Sequence, residues 1–472
     1  MTSNDVEDDG EFASMASGNA RWPSARPRAC AYGGHQFGEW AGALGDGRAH
    51  TLGRKNGFDV QLKGSGPTPF SRGGDGRAVL RSSIREYVAS EAMGALGART
   101  TRALALIATN AGVARMTAAN AMRYEPGGVV VRVAESFLRF GSFELANARG
   151  DVALVQSLAD DAASAFADGE IERFRPKCDG TYGAFVCAVA ARTGALVAKW
   201  QSLGFVHGVM NTDNMSVLGD TIDYGPFGWM ERFDVGYTPN ASDLQGERMY
   251  TYANQPKAGR WNVERLCDAF NRIASKRDRA RALEAFDEAF ANELYATFTR
   301  KFGCWIRDDD EYEIVRAFHR ILQRGAYDFT LSHRALGAFA SAVLARGESA
   351  TAPSLARDMF ASVRRAQGRS GETTPDALAV QIAEFGARYA EILLSENGDP
   401  ELIRAAQDSA NPLYIPRNYL LQRAIVAAER EDYEPVRELA RVLERPYEEQ
   451  PGAEAYAAPA SAEEHSKVAC LS

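Results

Sequence analysis

The sequence predicts an α+β protein of two unequal parts: a small β-rich N-terminal lobe, then a large, mostly helical C-terminal lobe with a helical extension. Three stretches carry that prediction. Residues 58–63 alternate Phe58, Val60 and Leu62 with Asp59, Gln61 and Lys63, the period of a half-buried strand. From Ala78 to Leu96 the period becomes helical, with Leu80, Ile84, Val88, Ala92 and Ala95 on one stripe. From Trp261 to about Arg445 nearly every segment is amphipathic helix punctuated by Gly and Pro, and its aromatic positions read as core.

Composition sets the bounds. The 472 residues carry a net charge of −8, which suits a soluble globular chain and argues against a nucleic-acid surface, since that needs clustered Lys and Arg. The six cysteines have no metal-ligand spacing and read as thiols of a reducing compartment. No apolar run approaches the roughly 20 residues of a membrane span. The acidic start MTSNDVEDDGEF has neither the basic nor the apolar region of a leader. A cytoplasmic monomer is expected, or a mitochondrial one if the chain is eukaryotic and incomplete at its N-terminus.

Residues 1–30 are poorly patterned and read as a lead-in; residues 31–145 form the β-rich lobe. Within it, YGGHQFGEWAGALGDGRAHTLG is rich in glycines that permit tight turns and close backbone approach to a ligand. Gly45-Asp46-Gly47-Arg48 reads as a hairpin tip carrying a cation, either a plain turn or a cover for phosphates. It is not a Walker loop, because no GK[ST] follows. Lys63 ends the polar face of its strand, and Glu86 lies off the apolar stripe of the next helix. A strand Lys with a helix Glu is how kinases hold a phosphate-binding Lys, although both types are more often plain surface residues. Asp75 and Gly76, between strand and helix, would set a backbone N–H near phosphate. In VVVRVAESFLRFGSFE, Arg132 and Arg139 sit among apolar residues. Each needs an anionic partner, either a carboxylate such as Glu135 or Glu144, or a ligand phosphate.

Residues 146–445 form the helical lobe, with helices over 150–205 leading into the chemical segment 205–228, and 446–472 form the tail. HGVMNTDNMSVLGDTIDYGPFG packs His207, Asp213, Asn214 and Asp223 between apolar runs. It reads as two short buried strands turning at Gly219-Asp220. Asn214 and Asp223 supply hard oxygen ligands suited to Mg²⁺ on nucleotide phosphates, the arrangement of a protein-kinase catalytic loop and Asp-x-Gly motif. The kinase base position holds Val209, and the nearest carboxylate is Asp213. A hairpin whose Asn and Asp only form turns is the other reading. From Gly228 to Gly259 the chain is irregular, in the place of a kinase activation segment, and is expected to frame a substrate entrance.

Taken together, YGGHQFGEWAGALGDGR, VQLKGSGPTPFSRGGDGRAVLRSSIREY, VVVRVAESFLRFGSFE, GFVHGVMNTDNMSVLGDTIDYGPFG, NQPKAGRWNVERL and NPLYIPRNYLLQ resemble the selenoprotein O family of kinase-fold protein adenylyltransferases. The resemblance runs from about residue 32 to the end. Family members usually carry more sequence before the first motif, so part of the N-terminal lobe is expected to be missing here.

That resemblance implies a role for each candidate residue. Gly45, Gly47 and Arg48 would touch ATP; Lys63, held by Glu86, would contact phosphate, with Asp75 and Gly76 contributing; Arg132 and Arg139 would clamp phosphates. Asn214 and Asp223 would bind Mg²⁺, or Mn²⁺ in its place, and Asp213 would take the hydroxyl proton. ATP would lie inverted relative to kinases, so that AMP passes to a Ser, Thr or Tyr hydroxyl of a protein substrate. Cys470, third from the end, would be redox-active, tethering the tail through Cys267 or, second, Cys304. Two other readings stay open: γ-phosphoryl transfer at the same site, and an inactive nucleotide-binding scaffold, for which Val209 speaks.

Overall fold

The computed structural model describes residues 10–116, 121–461 and 464. Its N-terminal part is organised by an antiparallel sheet. Strands β1 (His35–Gln36) and β2 (Glu39–Trp40) make a small separate hairpin. Strands β3 (Ala49–Lys55), β4 (Phe58–Lys63), β5 (Ala78–Val79), β6 (Arg102–Met116) and β7 (Met122–Ala134) form the main sheet, ordered β3-β4-β7-β5 with β6 also on β7. Gly45–Arg48 is therefore not a hairpin tip. The tip between β3 and β4 is Asn56-Gly57, where both residues have positive φ (53° and 84°), as a two-residue turn that follows strand twist requires. Gly45 to Arg48 instead lead into β3.

Strand β4 sits between β3 and β7, with Gln61 opposite Arg132 and Lys63 opposite Val130. Its alternation is as predicted, but the polar face is not solvated. Asp59, Gln61 and Lys63 are all buried, whereas Phe58 at the start is exposed. The reason is that this face meets charged partners rather than water. On the other face, Leu62, Val129 and Val131 pack with Leu52 and Ala16. Ala16 ends helix α1 (Gly10–Ala16), so residues 10–25 cover the sheet.

Helix α2 (Leu80–Ala95) follows β5 and buries Leu80, Ile84, Val88 and Ala92, as the stripe predicts. Helices α3 (Phe140–Ala148), α4 (Val152–Ala163) and α5 (Thr181–Leu203) come next. Helix α5 is long and apolar enough to cross a membrane, which corrects the reading that no apolar run approaches that length. Here it is the central core helix. It lies so close to a later helix, α8 (Lys276–Phe302), that a Cβ on Gly183 would fall 2.2 Å from the Asp278 carboxylate, and one on Gly194 2.3 Å from the Phe286 carbonyl.

Gly204 ends α5 in the left-handed region (φ 64°) and turns the chain into β8 (Phe205–Val206). The partner of β8 is β9 (Gly228–Trp229), not a strand around Val217, which corrects the predicted turn at Gly219-Asp220. Residues 207–227 loop out from this short pair and carry the polar residues. Beyond β9 come α6 (Ala241–Gln245), α7 (Gln255–Ala269), α8, α9 (Glu313–Gly325) and α10 (Phe329–Arg346). Helix α7 begins six residues before Trp261, with Pro256 in its first turn, where the missing N–H costs nothing. Ser275 and Asp278 form a capping box that opens α8. Five more helices of ten or more residues continue to Leu443, and their buried aromatics, such as Phe360, Phe385 and Tyr389, are core as expected.

Candidate active site

The buried polar face of β4, helix α2, and the loop between β8 and β9 converge on one carboxylate. Lys63 Nζ lies 2.8 Å from Glu86 Oε2 and 3.1 Å from Asp223 Oδ1. Arg132, facing Gln61 across the β4–β7 ladder, bonds Glu86 Oε1 at 3.0 Å, Asp223 Oδ1 at 3.1 Å and the Gln61 side-chain oxygen. Arg139, at the start of α3, bonds the other Asp223 oxygen and approaches Asp46 at 3.6 Å. The anionic partners of the two arginines are thus Glu86, Asp223 and Asp46, not Glu135 or Glu144. Glu135 faces Arg99, and Glu144 faces His35.

The formal charges of this network cancel: Lys63, Arg132 and Arg139 against Glu86, Asp223 and Asp46. Pairing of this kind offsets much of the cost of burying ions. Burial alone would raise the Asp223 carboxyl, but Arg139, Lys63 and Arg132 hold it well below the usual carboxylate range. Asp223 itself has φ 54°, a conformation that non-glycine residues seldom adopt, and one that clusters at functional sites. Two buried donors of the cluster, Arg132 Nε and Arg139 Nε, have no acceptor among the described residues. An incoming anion would satisfy such donors.

Asp213 and Asn214 sit beside this cluster on a single turn, Thr212–Asn214, of 3₁₀ helix. Burial pushes the Asp213 carboxyl up to about 6, against the pull of Arg139 and of Gln36. Gln36 Nε2 lies 3.3 and 3.4 Å from its two oxygens. Arg139 Nη1 also donates to the Asp213 carbonyl at 2.8 Å. Asn214 Nδ2 donates to the Val209 carbonyl at 3.0 Å, which leaves Oδ1 as the free acceptor end of the amide. His207 is buried with Nε2 2.8 Å from the Ile222 carbonyl, so it pins the two arms of the loop together.

The turn is held from a distance. The His35 N–H donates to Thr212 Oγ1 at 2.7 Å, Thr212 Oγ1 donates to Glu144 Oε2 at 2.5 Å, and His35 Nδ1 lies 2.7 Å from Glu144 Oε1. A Cβ on Gly34 would fall 2.8 Å from Asp213 Oδ1, so only glycine lets the β1 lead-in approach. The glycines of YGGHQFG draw attention in the sequence, whereas the roles of His35, Gln36 and the partner Glu144 do not emerge from it. The polar pair inside that motif is the available signal. Asp46 and Gln61 likewise have no role that the sequence assigns.

The remaining predicted residues lie around this centre. Gly45 faces the Phe70 ring, where a Cβ would come within 2.4 Å, and the Gly47 carbonyl accepts from Ser71 Oγ. These contacts seat loop 64–76 against the lead-in to β3. Arg48 is exposed and makes no ion pair among the described residues. Asp75 pairs with Arg115 at 3.1 Å, and the Gly76 carbonyl accepts from the Gly66 N–H at 3.2 Å. The structure does not bring Asp75 or Gly76 into the charged cluster. Cys267 lies buried in α7, its thiol pushed up to about 12 by burial, and Cys304 is also buried. Cys470 lies outside the described residues. Among the described residues no three His, Cys, Asp or Glu side chains converge on a metal position. Asn214 and Asp223 offer two hard oxygen donors, a set that fits Mg²⁺ when phosphates and water complete the shell.

Three buried cations thus share one conformationally constrained carboxylate in a charge-balanced cluster. A family model described as protein adenylyltransferase SelO matches residues 1–444, and the chain belongs to that family. It is 44% identical over 458 residues to the protein nucleotidyltransferase YdiU of Azoarcus sp. strain BH72, covering 95% of this chain and 83% of the relative. It is 42% identical over 460 residues to the YdiU protein of Xanthomonas axonopodis pv. citri, covering 95% and 84%.

Proposed function

We propose that this chain is a protein adenylyltransferase with a kinase-like two-lobe architecture, which transfers AMP from ATP to Ser, Thr or Tyr hydroxyls of proteins. The observation that carries this reading is the Lys63–Glu86 pair at 2.8 Å, joined to Asp223 through Lys63 and Arg132, in a chain of the SelO family. A Lys on a strand, a Glu on the next helix and a carboxylate on a later loop are the parts that kinases use to hold nucleotide phosphates.

In this reading Lys63, Arg132 and Arg139 leave Asp223 in part and turn toward the triphosphate, where the Nε donors of both arginines find acceptors. ATP lies inverted relative to kinases, with the α-phosphorus as electrophile. Mg²⁺, or Mn²⁺ in its place, would be held by Asn214 and Asp223 and would neutralise charge on phosphate oxygens. The substrate hydroxyl oxygen forms the new bond to the α-phosphorus, the bond to the bridging oxygen breaks, and pyrophosphate leaves. The hydroxyl proton passes to the Asp213 carboxylate. Gln36 and the Arg139 bond to the Asp213 backbone keep that carboxylate in place, and the cations stabilise charge on the nonbridging oxygens. Each such donor contributes about 2–4 kcal/mol to the transition state.

Two labelled nucleotides test the reading. Protein labelled from α-³²P-ATP but not from γ-³²P-ATP is the expected result. Label from the γ position alone would make this a kinase, and label from neither would favour the scaffold to which Val209 points.

A further inference from the structure

A cavity of about 410 Å³, whose lining shares no residue with the charged cluster, lies where the segment between β9 and α7 meets helices α8 and α9. Its floor is aromatic and apolar: Phe233 and Tyr252 come from the segment, Phe290 and Leu294 from α8. A concave apolar site of this size with a few polar groups suits a small organic ligand. The third wall is cationic, because Arg316, Arg320 and Arg324 recur every fourth residue along α9. Arg316 and Arg320 are engaged by Asp309 and Glu313. Arg324 makes no ion pair among the described residues.

The ground behind this wall is also basic. His319 lines the cavity, stacks on Phe233 at 4.8 Å between ring centres, and sets Nε2 3.3 Å from His333 Nε2. Lys301 is buried beyond them, 5.9 Å from the Phe329 ring, and its ammonium has a single bond of 3.4 Å to the Ala410 carbonyl. Among the described residues no carboxylate pairs with Lys301, His319 or His333. Burial, with Lys301 adding to it, holds His319 down at about 3. The buried Arg417, by contrast, meets Asp328 at 2.8 Å. Burial keeps both histidines uncharged at neutral pH, so the unpaired positive charge on the cavity lining is that of Arg324.

We propose that this cavity binds a small amphipathic carboxylate, its apolar body on Phe233, Tyr252, Phe290 and Leu294 and its carboxylate on Arg324. The site is separate from the nucleotide cleft, and the inference does not depend on the adenylyltransferase reading. Occupancy bears on the segment after β9, because Gln323 of the same wall accepts the Val235 N–H at 2.9 Å. A bound carboxylate would add to the existing contact between α9 and residues 230–254.

Titration calorimetry of the full chain with decanoate, below its micelle concentration, tests this, with decanol and decylamine as charge controls. Decanoate should bind about tenfold or more tightly than decanol, and decylamine not at all, since a charge-assisted bond to Arg324 is at stake. Arg324→Glu should cost decanoate about tenfold or more and leave decanol unchanged. Leu294→Trp should fill the floor and remove both. Neither residue is fully buried, and melting curves confirm that both variants fold. Hydrogen exchange should slow in residues 230–254 with decanoate. Equal binding of decanol and decanoate, no heat with decanoate, indifference to Arg324→Glu, or exchange protection confined to other regions each overturns the proposal.

Discussion

Arg139 is bound to Asp213 through the backbone: its Nη1 donates to the Asp213 carbonyl at 2.8 Å while also holding the Asp223 carboxylate. One guanidinium thus fixes the spacing between the proposed base and the proposed metal ligand. A Lys has the charge but lacks the second nitrogen, Nη2, by which Arg139 also approaches Asp46 at 3.6 Å while Nη1 serves Asp213 and Asp223. Arg139→Lys should lower transfer by about 100-fold, in kcat more than in KM for ATP. Steady-state kinetics with a protein acceptor checks this, and near-wild-type turnover would remove Arg139 from the site.

Lys63 and Asp223 should differ in what they do to the fold. Lys63→Ala leaves Glu86 paired with Arg132, so transfer should vanish with little change in melting temperature. Asp223→Ala removes the carboxylate shared by three cations, leaving Lys63 and Arg132 on Glu86 alone and Arg139 on Asp46 at 3.6 Å, and should cost stability on the order of 3–5 kcal/mol as well as activity. Chemical denaturation of both variants measures the contrast. Equal stability of the two would mean that the cluster is not organised around Asp223.

Gln36 touches no phosphate-binding residue, and its side-chain amide bonds the Asp213 carboxylate. Gln36→Leu should reduce kcat by about tenfold to 100-fold and leave ATP binding near wild type. Nucleotide affinity by calorimetry, set beside single-turnover rates, separates the two effects. A loss confined to affinity would assign Gln36 to nucleotide binding instead.

Lys301 gives a pH dependence of stability. Burial, with Lys199 adding to it, pushes its ammonium down to about 7 from 10.5. Between those values the unfolded chain binds a proton that the folded one does not, so stability rises with pH across that window. Below about 7 both states are protonated and the full penalty remains. His319, His333 and Lys199 surround it, and no acid offsets it among the described residues. Lys301→Met should therefore stabilise the protein by about 2–4 kcal/mol near pH 7, with the gain fading toward pH 10.5. Urea melts at pH 7 and pH 10 read this directly, and a destabilised variant at pH 7 would refute it.

The fold is legible where periodicity and burial agree. Leu80, Ile84 and Val88 form a core stripe because an isolated amphipathic helix has one way to hide it. Strand β4 is legible as a strand but not as a doubly buried one, since alternation cannot say whether Asp59, Gln61 and Lys63 face water or ions. The loop 207–227 reads as a hairpin in the sequence because Val217 and Leu218 are apolar, yet their stretch pairs only through an isolated bridge, Ser216 with Arg139, to the segment before α3 and not within the loop. Lys63, Glu86, Arg132, Arg139, Asp213, Asn214 and Asp223 stand out as costly charges or amides beside apolar runs. Which of them meet is not legible, because Asp223 and Arg139 are 84 positions apart. Gln36 and Glu144 give weaker signals still, being ordinary polar residues whose purpose is a long-range contact.

The hydrogen bond from His35 to Thr212 spans 177 positions of chain. On a ribosome adding about 5–20 residues per second, roughly 10–35 s separate the synthesis of its two ends. Glu144, the other partner of His35, is made earlier in that interval, but the turn carrying Asp213 does not yet exist. If Asp213 is the base proposed above, the nascent chain cannot transfer AMP to other proteins emerging nearby until its middle has been made.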